Sequence, residues 1–165
     1  MTNQRNILIA KQYGIKNAEL VAEAATIAKI PFSVACALVS KESYGGENLW
    51  GNDEGGVFAE LPREMTVTKG AFEVFEYKVV TLKETSNGVG PTQITWRGFF
   101  PDAREKGLKL WKPLDNMIYG FGLLHLYRYE QQLTWEEAGT RYNGAKSYGE
   151  DFVEQNALWR KRFRS

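Results

Sequence analysis

Glu42 is the residue whose type and place in this chain point most directly to chemistry. It lies near the end of VACALVSKES, residues 34–43, where Leu38 and Val39 stand one helical turn before it and put its carboxyl on the core-facing stripe. Gly45-Gly46 follow at once, so a cleft can open there. Partial desolvation and the negative end of a helix dipole both favour the neutral acid near neutral pH. A carboxylic acid in that state can protonate the oxygen of a glycosidic bond. The same position equally suits an ordinary solvated glutamate at a helix end.

The other titratable groups are less pointed. Asp53 and Glu54 stand in a glycine-flanked loop and read as a solvated pair, while Glu60, Glu64, Glu73 and Glu76 read as scattered surface charges. Glu150 and Asp151 are explained by the dipole of a helix beginning there. The single histidine, His125, sits among Leu123, Leu124 and Leu126 and reads as a satisfied core residue. The single cysteine, Cys36, reads as an inert core thiol. One Cys and one His exclude a disulfide framework and a thiolate or His-pair metal cage, so no metal is expected.

Aromatic and amide side chains form a second signal. Trp50 follows Asn48, Gln93 and Trp96 flank TQIT, and Tyr142-Asn143 with Tyr148 frame a glycine loop. Sugar rings have apolar faces and hydroxyl edges, which aromatic planes and Asn or Gln amides complement. Rings of this kind also cap cores, the reading that fits Trp111, Trp135 and Trp159.

These residues need elements to hold them. Ile7–Tyr13 reads as a helix closed by Gly14; Asn17 caps a second over AELVAEAATIAKI, which Pro31 ends; Ser33 caps the Glu42 helix. Thr68 is read as capping a helix that carries Phe72, Phe75 and Val79, although the alternation in EVFEYKVV also permits a strand. Asn87-Gly88 marks a turn, and VGPTQIT reads as short and extended. A short turn opens at Pro101-Asp102, a long buried helix spans Leu114–Gln131, Thr134 and Glu137 form a capping box, and Glu150–Arg162 closes the chain. The fold class read from this is α+β, mainly helical, with a small β or loop-rich middle, as one domain over 1–165.

The 165 residues and 43% hydrophobic content suffice for a core without staples. A net charge of +1 argues against a duplex nucleic-acid binder, which needs a basic surface. Apolar runs such as Val34–Val39 and Met117–Leu124 fall far short of the roughly 18 residues of a membrane span, and the N-terminal run Ile7–Ala10 is too short for a signal peptide.

Three segments taken together resemble a known family. IAKIPFSVACALVSKES with NLWGND is similar to the catalytic-helix signature of lytic transglycosylases and goose-type lysozymes. GVGPTQIT resembles their Gly-x-x-Gln-Ile segment, and TRYNGAKSYGEDF their Tyr-Asn-Gly segment, in the same order. The match covers about Ala18 to Arg162 and is nearest in wording to the catalytic domains of bacteriophage endolysins, especially of phages infecting actinobacteria. The resemblance implies a lysozyme-like fold and cleavage of the β-1,4 bond between N-acetylmuramic acid and N-acetylglucosamine in peptidoglycan. It implies no metal or organic cofactor; with the charge and run lengths above, no nucleic-acid partner and no membrane insertion are expected, and the chain is expected to be a monomer. Glu42 would be the catalytic acid and Ser43 would support the cleft. Gln93 and the adjoining Ile94 backbone would line the sugar groove, Tyr142 would hydrogen-bond near Glu42, and Asn143 would hold an acetamido sugar; the loop-borne rings Trp50 and Tyr148 would face the ligand.

Two departures stand out. Goose-type hydrolases position water with one or two aspartates; Asp53 is the candidate for the first, and Thr95 occupies the place of the second. The stretch Val57–Ser86 exceeds the family's shorter versions and would roof or narrow the cleft. With Glu42 as sole catalytic carboxylate the economical route is a lytic transglycosylase, with water activation by Asp53 as the hydrolytic alternative. A non-catalytic cell-wall binding module and a virion structural protein are readings from other classes. A phage lysin of this kind would gather in the host cytoplasm and meet the wall after membrane permeabilisation.

Overall fold

A computed structural model describes residues 3–165, which are mainly helical. The helices are α1 (Gln4–Gln12), α2 (Ala18–Ile27), α3 (Phe32–Ser43), α4 (Lys69–Glu76), α5 (Phe99–Glu105), α6 (Pro113–His125), α7 (Trp135–Asn143) and α8 (Lys146–Arg164). Both α4 and α6 run on into a wide π turn, Tyr77–Thr81 and Leu126–Glu130, closed by Leu82 N–H to the Tyr77 carbonyl and Gln131 N–H to the Leu126 carbonyl. No helix among the described residues is long and apolar enough to cross a membrane.

The expected β component is absent: among the described residues there is no strand, only isolated bridges of Val89 with Trp50 and with Ile94. Val89 and Ile94 exchange backbone hydrogen bonds around the loop 90–93, and the ladder stops there because Gly90 and Gln93 adopt left-handed φ of 78° and 49°. VGPTQIT is therefore a tight closed loop, not an extended piece. The helix alternative at Thr68 is the one realised: its hydroxyl accepts from Ala71 N–H at 3.2 Å and caps α4, which buries Phe72 and Phe75. Thr134 and Glu137 form the capping box on α7.

Three boundaries differ from expectation. Pro31, not Ser33, precedes the first turn of α3, and Ser33 is buried inside it. Helix α8 starts at Lys146, so Glu150 and Asp151 lie in its second turn. Helix α5 begins at Phe99, two residues before Pro101.

One apolar cluster runs through the molecule. Helix α3 buries every residue from Phe32 to Val39, so its first two turns are fully enclosed and only its C-terminal turn reaches the surface. Helix α8 lies against it, with Trp159 Nε1 donating to Ser40 Oγ at 3.2 Å. Helices α7 and α8 meet closely at Gly149, where a Cβ would stand 2.2 Å from Thr140 Oγ1. Segment 57–86 sends Phe58, Phe72 and Phe75 inward onto Trp50 and Phe100. Cys36 is buried, and that burial raises its thiol pKa, as expected of an inert core thiol. His125 lies only half-buried at the rim, its Nδ1 3.3 Å from the Lys29 carbonyl, and is not a core residue.

Candidate active site

Helix α3 ends where Tyr44 turns left-handed at φ 52°, and Glu42 and Ser43 form its last turn. Ser43 is fully buried, so it meets no ligand; its hydroxyl donates to the Pro91 carbonyl at 2.7 Å and accepts from Gly46 N–H at 3.0 Å. That bond pins the loop 89–94 to the end of α3. Ser43 thus supports the cleft from behind and does not itself line it.

The same loop is gripped from the other side by Asn116 of α6. Asn116 Oδ1 accepts from Thr92 N–H at 3.0 Å and from Thr92 Oγ1 at 2.8 Å, while Nδ2 donates to the Val89 carbonyl at 3.1 Å. Gly90 allows this approach, since a Cβ there would lie 2.2 Å from Asn116 Nδ2. Tyr142 at the end of α7 adds a third hold, its hydroxyl donating to the Thr92 carbonyl at 2.6 Å. Gln93 then projects into a cleft, with Nε2 donating to the Gly90 carbonyl at 3.0 Å.

The cleft holds about 360 Å³. Glu42, Tyr142 and Asn143 line its helical side; Gln93, Ile94 and Thr95 line the loop side; Asp53 stands at one edge and Trp96, Phe99 and Leu123 form an apolar shelf. Ile94 is only 2% exposed, so it offers a small patch of floor. Thr95 brings a hydroxyl, not a carboxylate, and that hydroxyl donates to the Gln93 carbonyl at 2.9 Å. No residue of 57–86 lines the cleft, contrary to the roof expected of that segment; its phenylalanines, with Val67 and Val79, are drawn into the core.

Glu42 is half-buried, and Tyr148 of α8 donates a hydrogen bond to its Oε1. Lys41 lies over the Tyr148 ring at 4.6 Å and pairs with Asp151 at 3.5 Å. Burial pushes the Glu42 carboxyl from its usual 4.5 up to about 7. The Tyr148 hydrogen bond and the Lys41 charge pull it down by less, and the Asp53 charge adds a push upward. Burial, then the neighbouring Glu42 charge, raises the phenols of Tyr142 and Tyr148, so both stay protonated donors. Tyr148, expected to face the ligand, instead holds the carboxyl and is not among the residues lining the cleft, while Tyr142, close enough to feel the Glu42 charge, spends its hydrogen bond on the loop.

Asp53 is exposed, with Oδ2 accepting from Gly88 N–H at 3.0 Å. Behind it the buried Asn87 accepts from Phe58 N–H at 2.8 Å and donates to the Gly51 carbonyl at 3.1 Å. Trp50 is 0% exposed, packed against Phe58 and Phe75, and cannot stack on a ligand. Trp96, 65% exposed and edge-on to Phe99, is the ring that the cleft presents. Asn116 is the functional residue that the sequence did not single out, while Trp96 was read within the aromatic signal beside Gln93. The available signal was an Asn directly ahead of the apolar helical run from Met117 to Leu124.

The arrangement places one proton-bearing carboxyl, one exposed carboxylate, two amides and an exposed indole around a single groove. Set against protein families, curated protein sequences and solved structures, the chain finds no match.

Proposed function

We propose that this chain cleaves peptidoglycan glycan strands at the β-1,4 bond between N-acetylmuramic acid and N-acetylglucosamine, as a phage endolysin of lysozyme-like fold. The observation that carries the reading is Glu42: a half-buried carboxyl held near pKa 7 by burial, facing a cleft that also presents Trp96, Gln93 and Asn143. A protonated acid beside a ring and amides is what a general acid acting on a sugar requires.

The neutral Glu42 donates its proton to the glycosidic oxygen as the C1–O bond breaks and C1 gains oxocarbenium character. The glucosamine-side product leaves with that proton as its new hydroxyl. The Glu42 carboxylate then accepts the proton of the muramoyl 6-hydroxyl while that oxygen bonds to C1. A 1,6-anhydro sugar results, and Glu42 is again protonated. Tyr148 supports the cycle by donating to the carboxylate in the interval when it is charged.

Asp53 at the cleft edge favours a second reading, in which it activates a water that attacks C1 and the product keeps a reducing end. Inverting hydrolysis needs carboxyls about 6.5–9.5 Å apart. Mass spectrometry of muropeptides released from purified walls separates the two: anhydro ends support the transglycosylase, reducing ends the hydrolase. Wall binding without release of either, in wild type and Glu42→Gln alike, would reduce the protein to a binding module. Such a lysin acts from the host cytoplasm once the membrane is breached, and fractionation of expressing cells tests that placement.

A further inference from the structure

A second cleft, of about 320 Å³, lies on the other side of the turn that carries Glu42. Tyr13 at the end of α1, Ser40, Lys41 and Tyr44 from α3 and its cap, and Trp159 with Arg162 from α8 form its walls. Glycan cleavage at Glu42 makes no use of it. Lys41 lines this cleft and Glu42 the first, so adjacent residues of one helix serve the two.

Arg162 is its distinctive group. The guanidinium carbon stands 4.2 Å from the centre of the Tyr13 ring and 4.6 Å from that of Trp159, and the rings hold it in place. Arg97, Arg104 and Arg128 all donate guanidinium N–H groups to the protein. Among the described residues Arg162 pairs with no carboxylate, while the neighbouring Lys41 already pairs with Asp151. Every charged side chain after Glu154 is cationic: Arg160, Lys161, Arg162 and Arg164. A half-buried, oriented guanidinium with free N–H groups matches a planar carboxylate. Tyr44, 74% exposed, adds an apolar face beside it.

We propose that this cleft binds the carboxylate-bearing stem peptide of the peptidoglycan strand, with Arg162 gripping a peptide carboxylate. The inference rests on the glycan-cleaving reading, because the peptide hangs from the lactyl group of the muramoyl sugar that Glu42 would attack. A strand seated in the first cleft projects its peptide beside the reacting sugar, and the positive second cleft lies across one helical turn from Glu42.

The test titrates the whole chain with the free tetrapeptide L-alanyl-γ-D-glutamyl-L-lysyl-D-alanine, following the Trp159 indole N–H by NMR. Saturable movement is expected, with Arg162→Gln weakening binding by about tenfold or more and Arg162→Lys by less. The same peptide with its carboxylates amidated binds as weakly as it does to Arg162→Gln. In turnover, Arg162→Gln raises KM on peptide-bearing strands and leaves peptide-free glycan unchanged. Unaltered affinity in Arg162→Gln, equal KM changes on both substrates, or stronger binding of oligo(glycerol phosphate) than of the peptide overturns the proposal. Glycan cleavage without any peptide response overturns it alone. Peptide binding without cleavage of either substrate overturns the glycan-cleaving reading and leaves the peptide cleft standing.

Discussion

Glu42 and Asp53 look into one cleft from walls built in opposite ways. The Glu42 wall is the end of an enclosed helix, clamped by Ser43, Asn116 and Tyr142 through a loop that cannot shift without breaking buried hydrogen bonds. The Asp53 wall is a glycine-flanked loop whose carboxylate accepts from Gly88 N–H and otherwise faces solvent. Burial keeps a proton on Glu42 near neutral pH, while Asp53 stands exposed to solvent. Rigidity and desolvation come from the same packing, which is why the proton-bearing acid belongs to the helix and not to the loop.

The sharpest way to break the contrast is to substitute each acid in turn. Glu42→Gln is expected to lose about 10²–10⁴-fold in glycan cleavage, read by release of soluble muropeptides. Asp53→Asn should keep most of the activity; a loss of the same size would assign water activation to Asp53 and turn the mechanism to hydrolysis. A comparison of rings follows the same division. Trp50→Ala, in the core, should cost about 3–5 kcal/mol in denaturant unfolding. Trp96→Ala, on the cleft shelf, should change stability by no more than about 0.5 kcal/mol while weakening binding of chitin oligomers. If Trp96→Ala leaves that binding unchanged, the shelf is not a sugar platform.

A smaller effect appears in stability against pH. The Glu42 carboxyl has a folded pKa of about 7 against an ordinary 4.5, so between those values the folded state binds more protons than the unfolded one. Stability should therefore fall as pH rises from about 4.5 to 7 and then level off. Glu42→Gln removes this penalty and should be more stable than wild type at pH 8, by on the order of 1–3 kcal/mol, and similar to it at pH 4. Equal stability at both pH values would mean the carboxyl is better solvated than its surroundings imply. The smallest and most diagnostic effect is a pair of opposite shifts in the alkaline limb of the activity profile. Tyr148→Phe removes a donor to the anion, raises the Glu42 pKa and moves the limb to higher pH. Asp53→Asn removes a repelling charge and moves it, by less, to lower pH. Shifts of the same sign would contradict the assignment of Glu42 as the acid.

Much of the site was legible because it sits at chain punctuation. Gly45-Gly46 after Glu42 and Gly144 after Asn143 mark the ends of α3 and α7, and ends are where side chains meet a cleft. The turn expected at Asn87-Gly88 falls instead at Gly90–Gln93, because Asn87 is buried and spends its amide on Phe58 and Gly51. The rings were not legible. Trp50 and Trp96 both stand in loops beside polar residues, and nothing local tells that one enters the aromatic core while the other stays out. Segment 57–86 misled for a related reason: its length promised a roof, but its Phe residues found a larger apolar surface in Trp50 and Phe100 than the cleft could offer.

Along the chain, local physics was enough for most of the helices, because period and caps act within a few residues of one another: Thr68 and Thr134 did their work in place, whereas α2 stopped at Ile27, ahead of Pro31, where Lys29 turns left-handed. Local physics also put Glu42 on the inward stripe of its helix. Partnerships were another matter. That Tyr148 and not Tyr142 grips Glu42, that Asn116 holds the loop 89–92, and that Arg162 lies between two rings from different helices depend on groups 106, 24–27 and 149 positions apart. Such encounters are decided only when the whole core closes, since the desolvation that raises the Glu42 carboxyl exists only once α7 and α8 have packed beside it.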